Sequence, residues 1–136
     1  MPVVEELIRT EQDGTISFGN YKLGQKSKKS DFEYQGDIYK VKTYNEITKL
    51  ERNEMFVYES VPGTVAEHFK VTDDSIEFEV EGDKDAQITV QLENDTDYEV
   101  DGAAVGSMKT NMSGKLSVSV ELEEGTSVKV KAVKRA

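Results

Sequence analysis

Along most of this chain apolar and polar residues alternate with a period of two, the spacing that turns one set of side chains to a core and the other to water. Ile76-Glu77-Phe78-Glu79-Val80, Ile88-Thr89-Val90-Gln91-Leu92, Leu116-Ser117-Val118-Ser119-Val120-Glu121-Leu122 and Val128-Lys129-Val130-Lys131-Ala132-Val133 keep to it strictly, and Phe69-Lys70-Val71 in brief. They predict half-buried antiparallel strands with polar outer faces. Turn residues stand between them: Asp73-Asp74, Gly82-Asp83, Asn94-Asp95, Asp101-Gly102, Ser113-Gly114 and Glu124-Gly125. Strands punctuated at such short intervals predict a sandwich or barrel.

The first half reads as hairpins. Leu7–Thr10 and Thr15–Phe18 flank Glu11-Gln12-Asp13-Gly14, and Asp-Gly between β-prone runs marks a hairpin turn. Val3, Val4, Leu7 and Ile8 also share a helical face, so a helix over residues 3–10 is the competing reading. Lys22 to Ser30 reads as a loop, rich in lysine and serine around Gly24. Phe32–Tyr34 and Ile38–Thr43 around Gln35-Gly36-Asp37 form a second hairpin, and Glu46–Leu50 and Met55–Tyr58 around Arg52-Asn53 a third. Val61-Pro62-Gly63-Thr64 is the strongest turn signal: Pro presets φ at the first central position and Gly supplies a positive φ at the next.

Composition divides the chain near Val61–Val65. Residues 1–64 hold 9 Lys and Arg against 11 Asp and Glu, and residues 65–136 hold 8 against 16, so the acidic excess of the whole, a net charge of −10, falls mainly in the second part. Five of the six tyrosines lie in the first. The expected organisation is a Tyr-rich hairpin meander over 1–64 leading into an acidic β-sandwich over 65–136. The negative charge disfavours nucleic acid and anionic membrane surfaces as partners. No run approaches the apolar length of a membrane-spanning helix. The start of the chain lacks the basic and apolar regions of a signal peptide, which predicts a cytoplasmic protein. Without cysteine, thiol nucleophiles, disulfides and Cys-ligated zinc are excluded.

Two resemblances are carried by particular stretches. Tyr98-Glu99-Val100-Asp101-Gly102-Ala103-Ala104-Val105-Gly106, Thr110-Asn111, Gly114-Lys115 and the run Leu116–Leu122 make the second half resemble the small Ig-like sandwich modules of bacterial surface and carbohydrate-active proteins. Asp13-Gly14-Thr15-Ile16-Ser17-Phe18-Gly19-Asn20-Tyr21 and Glu59-Ser60-Val61-Pro62-Gly63-Thr64 make the whole chain similar to a group of small bacterial proteins labelled endosialidase. That second resemblance implies hydrolysis of sialylated glycans. Sialidases hold the substrate carboxylate with three arginines, whose forked guanidinium suits that task. The arginines of this chain are Arg9, Arg52 and Arg135, and no tryptophan is present for the repeated Ser-x-Asp-x-Gly-x-Thr-Trp box of those enzymes. No catalytic residue is carried over, and the expectation is a protein that is not an enzyme and needs no cofactor.

The remaining chemistry is sparse. Glu77, Glu79 and Glu81 alternate with apolar residues as the wet face of a strand does, which is not the cleft arrangement of a glycosidase pair. His68 is the only histidine; Glu67 is beside it, no serine lies in a Gly-x-Ser-x-Gly context, and a strand over 65–71 would turn His68 away from Glu67 and Phe69. Asn94-Asp95-Thr96-Asp97 with Asp101 offers oxygens to calcium, but also the side chains of ordinary turns. Lys26, Lys28 and Lys29 form the basic cluster, and aromatic residues follow it. Tyr34, Tyr39, Tyr44 and Tyr58 are the candidates for stacking on a sugar. The expected role is a non-enzymatic interaction or structural module with a protein partner or a second copy of itself, the alternative being a carbohydrate-binding module. Exposed tyrosines in a row favour the sugar, and buried ones favour assembly.

Overall fold

A computed structural model of the protein describes residues 3–102 and 106–135. The described residues form strands and turns and no helix. The three expected hairpins are present. β1 (Ile8–Thr10) pairs with β2 (Ile16–Phe18), β3 (Ser27–Tyr34) with β4 (Asp37–Tyr44), and β5 (Ile47–Arg52) with β6 (Met55–Val61). Seven strands follow: β7 (Val65–Val71), β8 (Ser75–Glu81), β9 (Ala86–Gln91), β10 (Asp97–Asp101), β11 (Gly106–Lys109), β12 (Lys115–Val120) and β13 (Val128–Lys134).

The strands make two antiparallel sheets, in a sandwich-like arrangement. One runs β1-β2-β7-β8-β13-β10-β11 and the other β12-β9-β6-β5-β4-β3. The core between them takes Phe18, Phe69, Phe78 and Val130 from the first sheet and Val41, Leu50, Tyr58 and Ile88 from the second. Tyr58 stands at its centre, edge-on to Phe18 at 5.1 Å and to Phe78 at 5.6 Å. The change of composition near Val61–Val65 does not divide the sheets. β2 pairs with β7 across it, and β6 pairs with β9. Of the stretch that suggests an Ig-like module, Ala103–Val105 lie outside the described residues.

Three local readings change. The helix over residues 3–10 does not form: Leu7 sits in the left-handed region at φ 74°, Ile8–Thr10 pair with β2, and Gly19 takes the Val4 N–H and the Leu7 carbonyl across the chain. The apolar set also splits, Val3 and Val4 packing with Tyr21 and Val65 while Ile8 enters the main core. The polar segment before Phe32 is not all loop, because β3 begins at Ser27. It is the outer strand of its sheet, where polar side chains and lysines are suited to an open edge. Gly63 is not in the left-handed region. Its lack of a side chain serves a close approach instead: a Cβ there would lie 2.0 Å from the carbonyl oxygen of Tyr44.

Candidate functional site

At the β1–β3 side of the sandwich the sheets part into a cleft of about 710 Å³. Ile16, Val57, Phe69 and Phe78 give it apolar walls, and Asp13, Tyr34, Tyr39, Arg52, His68 and Lys70 give it polar ones.

The first sheet contributes through two local irregularities. The β1–β2 turn is closed by Asp13, whose carboxylate accepts from the Thr15 backbone N–H at 3.0 Å and the Thr15 hydroxyl at 2.5 Å. In β7 the register slips: Glu67 lies opposite Glu79 and Lys70 opposite Glu77, so His68 and Phe69 together face Phe78. Strict alternation thus fails in β7, and its signal is apolar residues at Ala66 and Phe69, three apart. His68 sits in the left-handed region at φ 52°. Its backbone N–H donates to Ser17 Oγ at 3.1 Å, and the Ser17 hydroxyl donates to Glu11 at 2.5 Å, with Arg9 Nε on the same carboxylate at 3.1 Å.

The His68 ring donates through Nδ1 to Asp13 Oδ2 at 2.9 Å, with Thr15 Oγ1 3.4 Å from the same nitrogen. A nucleophile relay places the carboxylate on one ring nitrogen and the hydroxyl on the other. Here both converge on Nδ1, an arrangement that holds the ring rather than priming the hydroxyl. The Thr15 hydroxyl and backbone N–H, with His68 behind them, bring the Asp13 carboxyl down to about 2. Burial alone would raise Glu11, but the bonds from Ser17 and Arg9 outweigh it and hold that carboxyl below its usual value. Glu67, outside this network, is pushed up by burial and by Glu81 and Glu79.

The second sheet contributes Tyr34, Tyr39 and Arg52. Tyr34 and Tyr39 meet at 5.8 Å with rings near edge-to-face. The Tyr34 hydroxyl donates to the Gly14 carbonyl, tying β3 to the β1–β2 turn across the cleft. Arg52 lies directly opposite Tyr39 across β4 and β5. Burial raises the Tyr39 phenol, and Arg52 partly offsets that.

Two of the four tyrosines singled out from sequence therefore come together at the cleft, Tyr34 half-buried and Tyr39 buried behind it in the core cluster. The other two do not. Tyr44 points to Glu46, its hydroxyl 3.2 Å from that carboxylate, and does not line the cleft. Tyr58 is fully buried, its phenol pushed up to about 12 by that burial and bonded to Thr64 Oγ1 at 2.7 Å, so it is a core residue out of a ligand's reach. Asp13, Arg52, His68 and Lys70 line the cleft although sequence reasoning assigned them no binding role. Asp13 carries only a turn signal, and Arg52 reaches the cleft through strand register alone. Arg9 and Arg135 stand elsewhere, beside Glu11 and Glu99.

Among the described residues no group of three or more His, Cys, Asp or Glu side chains could hold a metal ion. Asp95 and Thr96 spend their backbone N–H groups on Asn111 and Thr110, as turn residues do. Glu77, Glu79 and Glu81 alternate with buried Ile76, Phe78 and Val80, and Glu77 lies 3.5 Å from Lys129. No described helix is long and apolar enough to cross a membrane. No protein-family model, curated protein or solved structure matches the chain.

Proposed function

We propose that this is a non-enzymatic binding module whose inter-sheet cleft takes a small saccharide. The observation that carries this reading is the half-buried Tyr34 ring, backed edge-on by the buried Tyr39 and set beside Arg52, Asp13 and His68 at the cleft. Sugars present an apolar C–H face and a rim of hydroxyls. An aromatic corner suits the first, and fixed charged groups suit the second. A volume of about 710 Å³ falls within the range of small-ligand pockets. A glycan array followed by NMR titration of the best hit tests it. Tyr34→Ala and Arg52→Ala should each weaken binding by about tenfold or more. Tyr44→Ala should leave it unchanged. Equal losses in Tyr34→Ala and Tyr44→Ala, or shifts mapping away from the cleft, would sink the reading.

A second reading, interaction with another copy of this chain, is favoured by the open edge at β12. β12 pairs with β9 in unbroken register. β3, at the opposite edge, is guarded by lysines and by a register slip before Phe32. Leu92 N–H bonds the Gly114 carbonyl and Leu122 N–H bonds Asp85. That phase turns the backbone groups of Ser117 and Ser119 outward. Two copies pairing antiparallel about Val118 would set Ser117 against Ser119 and Lys115 against Glu121, opposite charges at both ends. Ser119→Pro removes an outward donor while sparing the β9 ladder. Sedimentation should then find a dimer for the parent chain and a monomer for the variant. A parent that stays monomeric at all concentrations rules this contact out.

A further inference from the structure

Four lysines from three strands line a shallow depression on the outer face of the six-stranded sheet. They are Lys28 of β3, Lys40 and Lys42 of β4 and Lys49 of β5, with Glu51 as the fifth residue, around a volume of about 90 Å³. Register explains the gathering. Lys28 lies directly opposite Lys42, and Lys42 directly opposite Lys49. Lys40 and Glu51 are one pleat further along the same face.

Like charges directly opposite one another destabilise an antiparallel pair. Here two such pairs stand in succession, offset only in part by Glu59 opposite Lys49 and Glu51 opposite Lys40, in a chain whose 27 acidic residues outnumber its 17 basic ones. Among the described residues, the ion pair within this cluster is that of Lys49 and Glu51 at 3.6 Å. Lys42 and Lys49 are also half-buried, which keeps water from screening them fully. A bound anion would turn the repulsion into attraction.

We propose that this depression binds a tetrahedral oxyanion, a phosphate or sulfate group, either free or carried as an ester. Ammonium groups act as point charges that can surround a compact anion from several sides, whereas a planar carboxylate is better matched by the arginine fork. The depression has the liquid volume of about three waters, room for one such group. All four lysines stand on paired strands, so the row is built before the anion arrives. The site lies on the outer face of the sheet, apart from the inter-sheet cleft, and does not depend on it.

Inorganic phosphate, inorganic sulfate, glucose 6-phosphate and glucose, titrated into the full chain, test this by NMR of the lysine side chains. Saturable shifts of Lys28, Lys42 and Lys49 are expected with the first three and none with glucose. Lys42→Gln should weaken binding by about tenfold or more, and Lys28→Gln on the outer strand should do so as well. Lys129→Gln, an equal loss of charge on the other sheet, should change it by less than about twofold. In anion-free buffer Lys42→Gln should melt no lower than the parent, because it removes a repulsion. Tighter binding of glucose 6-phosphate than of phosphate identifies an ester-borne group as the ligand, and equal binding identifies the free ion. Either supports the site. Absence of saturation, or equal weakening by Lys42→Gln and Lys129→Gln, overturns it.

Discussion

Thr48 shows how much of this protein rests on single buried hydroxyls. Its Oγ1 accepts from the Thr64 backbone N–H at 3.1 Å, donates to the Thr64 carbonyl at 2.8 Å, and lies 2.8 Å from Thr43 Oγ1. Thr64 Oγ1 in turn meets Tyr58 and Ser60, each at 2.7 Å. All five residues are buried, so a missing partner leaves a group without water to replace it. Thr48→Val keeps the shape but strands the Thr64 N–H and carbonyl. It should cost about 2–3 kcal/mol in urea unfolding. Tyr58→Phe should cost only about 1 kcal/mol, since Thr64 keeps Ser60. Equal losses in the two variants would contradict the network as drawn. Asp13 makes a different prediction, through pH. Its carboxyl falls from 3.8 to about 2 on folding. A depressed carboxyl stabilises the fold above its unfolded value, and that contribution fades as pH drops through the folded one. The stability gap between the parent and Asp13→Asn should be flat above about pH 5 and close between about pH 4 and 2, as followed by thermal melts. A gap that persists below that range would assign the loss to shape rather than charge.

At the scale of elements, the hairpins were legible because both their signals are local. Alternation marks the strands, and Asp13-Gly14, Gln35-Gly36 and Asn53 mark the turns between them. The departures come from pairings with residues distant in sequence. Gly19 takes the Val4 N–H and the Leu7 carbonyl, and Thr43 and Lys42 draw Ser27 and Lys28 into a strand. The β7 bulge is such a departure, and it gives an element-level test. His68 holds φ 52°, a region that branched side chains resist. Among His68→Gly, Ala and Val, stability should fall in that order, with Val about 1–2 kcal/mol below Gly. All three lose the Asp13 contact equally, so the order reports the backbone alone. Any other order in thermal melts would mean that the bulge does not fix this conformation.

For the whole molecule, the two sheets interleave both parts of the chain. β9 and β12 reach the rest of their sheet only through β6, and β1 and β2 reach theirs only through β7. Residues 65–136 made alone would lose Phe18, Val41, Leu50 and Tyr58 from the core. We expect that fragment to give an unfolded proton NMR spectrum and the full chain to unfold in one cooperative step. A dispersed spectrum from the fragment would show that its seven strands close a core unaided.

The sequence by itself determined most of the strands, the three early hairpins and the all-β class, because period-two alternation and turn residues act within a few residues of each other; the start of β3 and the strands β10 and β11 were not marked by it. It also named Tyr34 and Tyr39 as aromatic candidates. Tertiary structure decided which tyrosines meet. Tyr58 went to the core because its strand turns it inward against Phe18 and Phe78, and Tyr34 reached the cleft because β3 carries it over the β1–β2 turn, where its hydroxyl meets Gly14. It also set Arg52 beside Tyr39, His68 beside Asp13 and Lys28 beside Lys42 and Lys49. Each of these is a cross-strand or cross-sheet contact. The register and sheet order that create them follow from how two faces close over one core, which no local pattern encodes.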